Sequence, residues 1–152
     1  PVAIGAIVYG PKMGLLLGAV MGLTTMSKAM LAPVSPLDPL FINPLVSVIP
    51  RALMGILSAY VFIGLEKITS KTSINIMLSA GASSIFNTLL TLGTLALVHS
   101  KAIEQMLSEF NMPGTVATFI LGIITTNGVA ETIITVLIVT PIVLSLRKTV
   151  RI

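Results

Sequence analysis

The chain has 152 residues, of which 55% are hydrophobic and only 9% charged, and its mean hydropathy is +1.05. Nine basic and five acidic side chains cannot cover a water-facing surface, where about 25% of residues are normally charged. An ordinary water-soluble domain is thereby excluded, and an integral membrane protein of transmembrane α-helices is predicted. The absence of cysteine excludes disulfides and thiolate metal sites. The net charge of +4 is small, so its placement matters more than its size.

In chain order, Val2 to Tyr9 is apolar but short, and Gly10-Pro11-Lys12 closes it. Met13 to Met30 is a glycine-rich apolar run. Prolines at 33, 36, 39 and 44 then mark a turn-rich loop around Asp38. Leu45 to Leu65 is apolar except for Arg51, and Glu66 to Ser73 is a charged turn. Ile74 to Val98 is long and apolar, with Asn75 and Asn87 inside it. His99 to Asn111 reads as a short amphipathic helix at an interface. Pro113 to Leu146 is apolar again apart from Asn127 and Glu131, and Arg147-Lys148 ends it.

A helix needs about 20 apolar residues to cross the hydrocarbon, and four segments reach or approach that length. Continuous runs without period-2 alternation disfavour a β-barrel. The helical regions are expected near 1–10, 12–31, 45–66, 72–98 and 113–146, with the interfacial helix within 99–111. They form a single transmembrane domain over 1–152. The first region is too short to cross alone. With no initiator Met and a start in mid-pattern at Pro1, native sequence is expected to precede it.

Charge placement orients the spans. With the C-terminus cytoplasmic, Lys12, Lys67, Lys71, Arg147, Lys148 and Arg151 share one side, against Lys28, Lys101 and the Arg51 helix entry on the other. Positive residues collect on the cytoplasmic side of short loops. The loops at 32–44 and 99–111 are then external.

Polar residues within spans are candidate sites. Arg51 follows Pro50 near the external end of its helix. It reads as a snorkelling arginine or as a bidentate clamp for a carboxylate. Asn87 and Asn127 need hydrogen-bond partners, from other helices or from a ligand. Glu131 lies four residues after Asn127, which on an α-helix puts both on one face. Gly14, Gly18 and Gly22 also share a face, one that admits close backbone approach. It serves either packing within the subunit or docking of a partner membrane protein. His99 is the single histidine, and with no carboxylate cluster it gives little support to a metal site. No Gly-rich phosphate loop or nucleophile elbow is present, so any energy for transport is expected from a partner or an ion gradient.

At this point the sequence resembles a known family. PVAIGAIVYGPKMGLLLGAVMGLTT is similar to the second and third helices of the substrate-binding S components of energy-coupling factor (ECF) vitamin importers. NPLVSVIPRALMGILSAYVF, after the proline-rich loop, resembles that family's fourth helix. TNGVAETIITVLIVTPIV resembles its last helix, with Val129 and Ala130 where Ile-Pro is usual. The likeness is greatest to the pantothenate-type members. It implies an all-α, polytopic transmembrane bundle, the six-helix S-component fold with the first helix missing from this chain. It also implies a subunit that binds a vitamin from outside, docks on a transmembrane coupling protein carrying two ATPases, and topples to deliver its ligand. The setting would be a bacterial cell membrane, in contact with lipid and not nucleic acid. No cofactor is expected in this chain, ATP being used by the partner subunits.

The residues refine the substrate. No tryptophan is present, which weakens flat heteroaromatic vitamins that need a stacking platform. Arg51 suits a carboxylate, and Asn87 and Asn127 suit hydroxyl and amide groups, a combination that pantothenate offers, with Glu131 expected deeper in the same substrate site. The alternative within the class is a neutral vitamin of hydroxymethylpyrimidine or pyridoxine type, with Arg51 structural. Alternatives of another class are a structural membrane subunit, or a membrane-embedded enzyme using Glu131 and His99.

Overall fold

The computed structural model describes residues 1–111 and 113–150, and among them no strand occurs. Helix α1 (Val2–Tyr9) turns into α2 (Pro11–Leu31) through Gly10, whose φ of +87° belongs to a region that disfavours side chains. Pro11 then opens α2, where its missing N–H costs nothing. The loop that follows is held by Asp38, whose Oδ2 accepts bonds from the backbone N–H of Val34 at 2.6 Å and of Ser35 at 2.9 Å. A 3-10 turn, Asp38–Ile42, leads to α3 (Pro44–Ser47). Asn43 caps α3 by accepting from the Leu45 N–H at 3.0 Å.

The expected region 45–66 is thus divided between α3 and α4 (Ile49–Ile68). The regions 72–98 and 99–111 run together as α5 (Thr72–Glu109), kinked at His99, whose φ/ψ of −124°/27° leaves the helical basin. The expected long region at 113–146 comprises α6 (Val116–Ile123), a π-helical segment Ile124–Gly128 and α7 (Val129–Val150). Thr115 and Thr118 form a capping box at its start. Arg151 lies outside the described residues.

Four stretches, Pro11–Leu31, Pro44–Ile68, Thr72–Glu109 and Val116–Thr149, are long and apolar enough to cross a membrane. Large apolar side chains stand exposed along α2 (Leu15, Leu16, Val20, Leu23) and α7 (Ile133, Ile134, Leu137, Ile138). Such patches would be a liability in water, but lipid tails solvate them as well as another leucine would. The protein is a multi-pass helical membrane bundle.

Two apolar clusters close its ends. Ile7, Val8, Phe62, Ile76, Ala80, Val139 and Val143 join α1, α4, α5 and α7 at the end where α4 and α7 finish. There Arg147 Nη1 meets Glu66 Oε1 at 2.9 Å, and Arg147 Cζ lies 4.9 Å from the centre of the Phe62 ring. At the other end Val46, Leu92, Leu95, Ile103 and Leu107 pack with Leu40, Phe41, Val116 and Phe119. Ser58 of α4 and Ser83 and Ser84 of α5 are buried polar side chains at positions between the two clusters.

The antiparallel pair α2–α4 rests on glycine. Gly14, Gly18 and Gly22 are buried. A Cβ on Gly14 would overlap the Gly55 carbonyl, one on Gly18 the Arg51 carbonyl, and one on Gly22 the Cα of Val48. The face offered to a partner protein in the sequence reading is therefore filled by α4 of the same subunit. Small residues let two backbones touch, and here both backbones belong to this chain. Of the two occupants left open for this face, the subunit's own α4 is the one packed on it here.

Candidate functional site

Asn87 on α5 and Glu131 on α7 meet between the two apolar clusters. Asn87 Nδ2 donates to Glu131 Oε1 at 3.1 Å. Both line a cavity of about 220 Å³, with Met54 of α4, Ser83 and Ser84 of α5, Thr135 and Ile138 of α7, and the start of α1. Asn87 Oδ1 is buried and has no hydrogen-bond partner among the described residues. An unpaired amide oxygen costs about 1–3 kcal/mol when buried, which a water or a bound solute would offset. The Ser83 hydroxyl donates to Met54 Sδ at 3.2 Å. Ser84 Oγ lies 3.2 Å from Thr132 Oγ1.

Arg51 is 7% exposed, but its guanidinium turns toward the short helices. Nη1 donates to the Val46 carbonyl at 2.7 Å, and the Phe41 ring centre lies 5.4 Å from Cζ. Nε is buried and has no hydrogen-bond partner among the described residues. Arg51 does not line the Asn87–Glu131 cavity, so the structure does not gather the expected residues around one void.

Asn127 departs further. Its side chain is exposed and lines none of the cavities described here. The sequence argument placed it on the Glu131 face by 3.6-residue periodicity. The π-helical segment Ile124–Gly128 has i→i+5 bonding and a wider turn, which breaks that register. Thr125 and Thr126 hydroxyls donate to the Leu121 and Gly122 carbonyls within it, so their polarity is spent locally.

The serines were missed in the sequence reading. Ser79, Ser83, Asn87 and Thr91 repeat every four residues along α5. That four-residue spacing, which brings the four side chains to one side of the helix, was a usable signal. The Met54 and Thr135 contributions left no such mark. A separate cavity of about 260 Å³ is lined by Ile85, Leu89, Ile124, Val129 and Ile133, with only Thr88 and Thr132 as polar neighbours. It offers a solute no charged group and few hydrogen bonds, so the Asn87–Glu131 cavity is the better candidate site.

No curated protein matches the chain. The family model described as ECF transporter, substrate-specific component, matches residues 1–143. That match runs from α1 into α7 and includes both candidate residues, and the chain belongs to the family of ECF transporter substrate-specific components.

Proposed function

We propose that this subunit binds a vitamin-sized solute in the cavity between α1, α4, α5 and α7. The observation that carries the reading is the Asn87–Glu131 pair, a hydrogen-bonded polar couple on the wall of a cavity in a membrane-spanning bundle. Membership of the family makes the chain a transport subunit and not an enzyme. The solute enters from outside, and a transmembrane coupling protein with two ATPases completes the importer. The docking surface for that coupling protein is another face than the α2 glycines, which α4 covers.

Pantothenate is the finer reading of the solute. Its hydroxyl and amide groups suit Asn87 and Glu131, while Arg51, whose guanidinium lies outside that cavity against Val46 and Phe41, would have to turn toward it to meet the carboxylate. A second reading, a neutral vitamin of hydroxymethylpyrimidine or pyridoxine type, is favoured by the Val46 and Phe41 contacts that already hold Arg51. Mass spectrometry of the small molecule that copurifies with the protein decides between them. Pantothenate is the expected ligand. A neutral vitamin moves the assignment to the second reading, and a protein that binds none of these solutes in calorimetry removes the proposed function.

A further inference from the structure

We infer that the Asn87–Glu131 pair selects the solute by a hydroxyl or amino donor and excludes an anionic group from that end of the cavity. The inference rests on the vitamin-binding reading and adds which end of the solute goes in. It follows from counting protons on the polar wall.

A hydroxyl has one proton to give. Ser83 gives its proton to Met54 Sδ at 3.2 Å. The Thr132 hydroxyl lies 2.7 Å from the Gly128 carbonyl and 3.2 Å from Ser84 Oγ. A carbonyl can only accept, so the Thr132 proton goes to Gly128 and Ser84 supplies the proton between the two hydroxyls. Asn87 commits one amide proton to Glu131. What remains open toward the cavity is weighted to acceptors. Asn87 Oδ1 is buried and unpartnered. Glu131, when ionised, accepts only, at about four lone-pair sites, and one bond to it is seen among the described residues. The second amide proton of Asn87 and the Thr135 hydroxyl are the donors left over.

A solute carboxylate placed here would face the ionised Glu131 carboxylate, a like charge, which is unfavourable. A hydroxyl or amino group would instead give its protons to two waiting oxygens, with a charge-assisted bond to Glu131. A site built to hydrogen-bond a donor discriminates sharply against an analogue without it, because its buried acceptors are then left unpaired. Any carboxylate on the solute must therefore point away from Glu131.

The test reads discrimination rather than affinity alone. Calorimetry on the detergent-solubilised protein uses pantothenate, pyridoxine and 4-amino-5-hydroxymethyl-2-methylpyrimidine. Each is paired with an analogue lacking one hydroxyl or the amino group. For the probe that binds, the wild type is expected to prefer the donor-bearing compound by about tenfold to a hundredfold for one analogue. Glu131→Ala is expected to shrink that preference to less than about threefold while binding the donor-poor analogue as the wild type does, which also reports an intact site. Glu131→Gln, which keeps one acceptor oxygen, is expected to fall between them. Equal binding of all analogues by the wild type, or a preference that survives in Glu131→Ala, overturns the inference and leaves the vitamin-binding reading standing. Failure of all three probes to bind the wild type removes both.

Discussion

Arg51 and Asp38 show how a single charge is held in this protein. Arg51 gives Nη1 to the Val46 carbonyl and lies over Phe41, while Nε has no partner among the described residues. If that nitrogen meets the solute carboxylate, Arg51→Ala is expected to weaken pantothenate binding about tenfold to a few hundredfold, since a charged hydrogen bond contributes about 1.5–3 kcal/mol. Arg51→Lys is expected to restore only part, because an ammonium cannot reproduce the guanidinium fork. Unchanged affinity with a lowered melting temperature would make Arg51 a strut for α3 and favour a neutral vitamin. Asp38 lies in the loop outside the spans. Bonds from the Val34 and Ser35 N–H groups, in that order, hold its carboxyl below the usual carboxylate range. Its folded pKa is thus lower than its unfolded one, so its contribution to loop order is complete above the unfolded value. That contribution is lost as the pH falls through the folded value. Limited proteolysis within 33–43 is expected to accelerate only in acid below the ordinary carboxylate range, and Asp38→Asn is expected to remove that pH dependence. Constant wild-type cleavage down to that range would show that the loop does not depend on the ionised form. Polar residues inside apolar runs were visible in the sequence, and Asn87 and Glu131 were found that way. Their pairing was not visible, because it depends on how two helices 44 positions apart are set against each other.

At the scale of the helix, composition and register differ in what they reveal. Apolar length, with Pro1 and the Gly10-Pro11 break, marks where α1 and α2 begin, and the charged turn at 66–73 marks the start of α5, because each start is set by the local sequence. A one-residue register change leaves composition untouched, so the π-helical segment Ile124–Gly128 was invisible, as was the absence of Asn127 from the cavity that Glu131 lines. The glycine stripe of α2 gave a face but not its occupant. That occupant is now α4, and the consequence can be measured. Gly18→Leu must drive α2 away from the Arg51 carbonyl and Ala52 Cα, and overpacking of this kind costs about 1–3 kcal/mol or more. Thermal unfolding in detergent is expected to show a clear loss of stability. Gly93→Ala is the control, since nothing stands within 4 Å of a Cβ there and alanine in a helix is favoured by about 0.5–1 kcal/mol. A Gly18→Leu protein as stable as the wild type, yet unable to assemble with the coupling protein, would restore the docking role of this face.

At the scale of the whole molecule, the two ends of the bundle differ in charge. Lys12, Lys67, Lys71, Arg147 and Lys148 gather where α1, α4 and α7 end and α2 and α5 begin, and the Glu66–Arg147 pair ties that end together. The opposite end carries Lys28 and Lys101 with Asp38, Glu104 and Glu109. Short loops rich in lysine and arginine stay on the cytoplasmic side, so the C-terminus is expected inside and the loops around Asp38 and Lys101 outside. The orientation matters to function, because an importer must open its solute cavity outward before it opens inward. These 152 residues contain no cysteine, so a single cysteine introduced is the only thiol among them. Lys101→Cys is expected to react with a membrane-impermeant maleimide in intact cells. Lys148→Cys is expected to react only after the membrane is permeabilised. The charged side chains they replace face solvent at the two ends, so neither change disturbs an apolar contact. The reverse labelling pattern would put the Arg51 entrance in the cytoplasm. A solute would then meet the Asn87–Glu131 cavity from within the cell, and uptake from outside would have to be abandoned even if binding itself were confirmed.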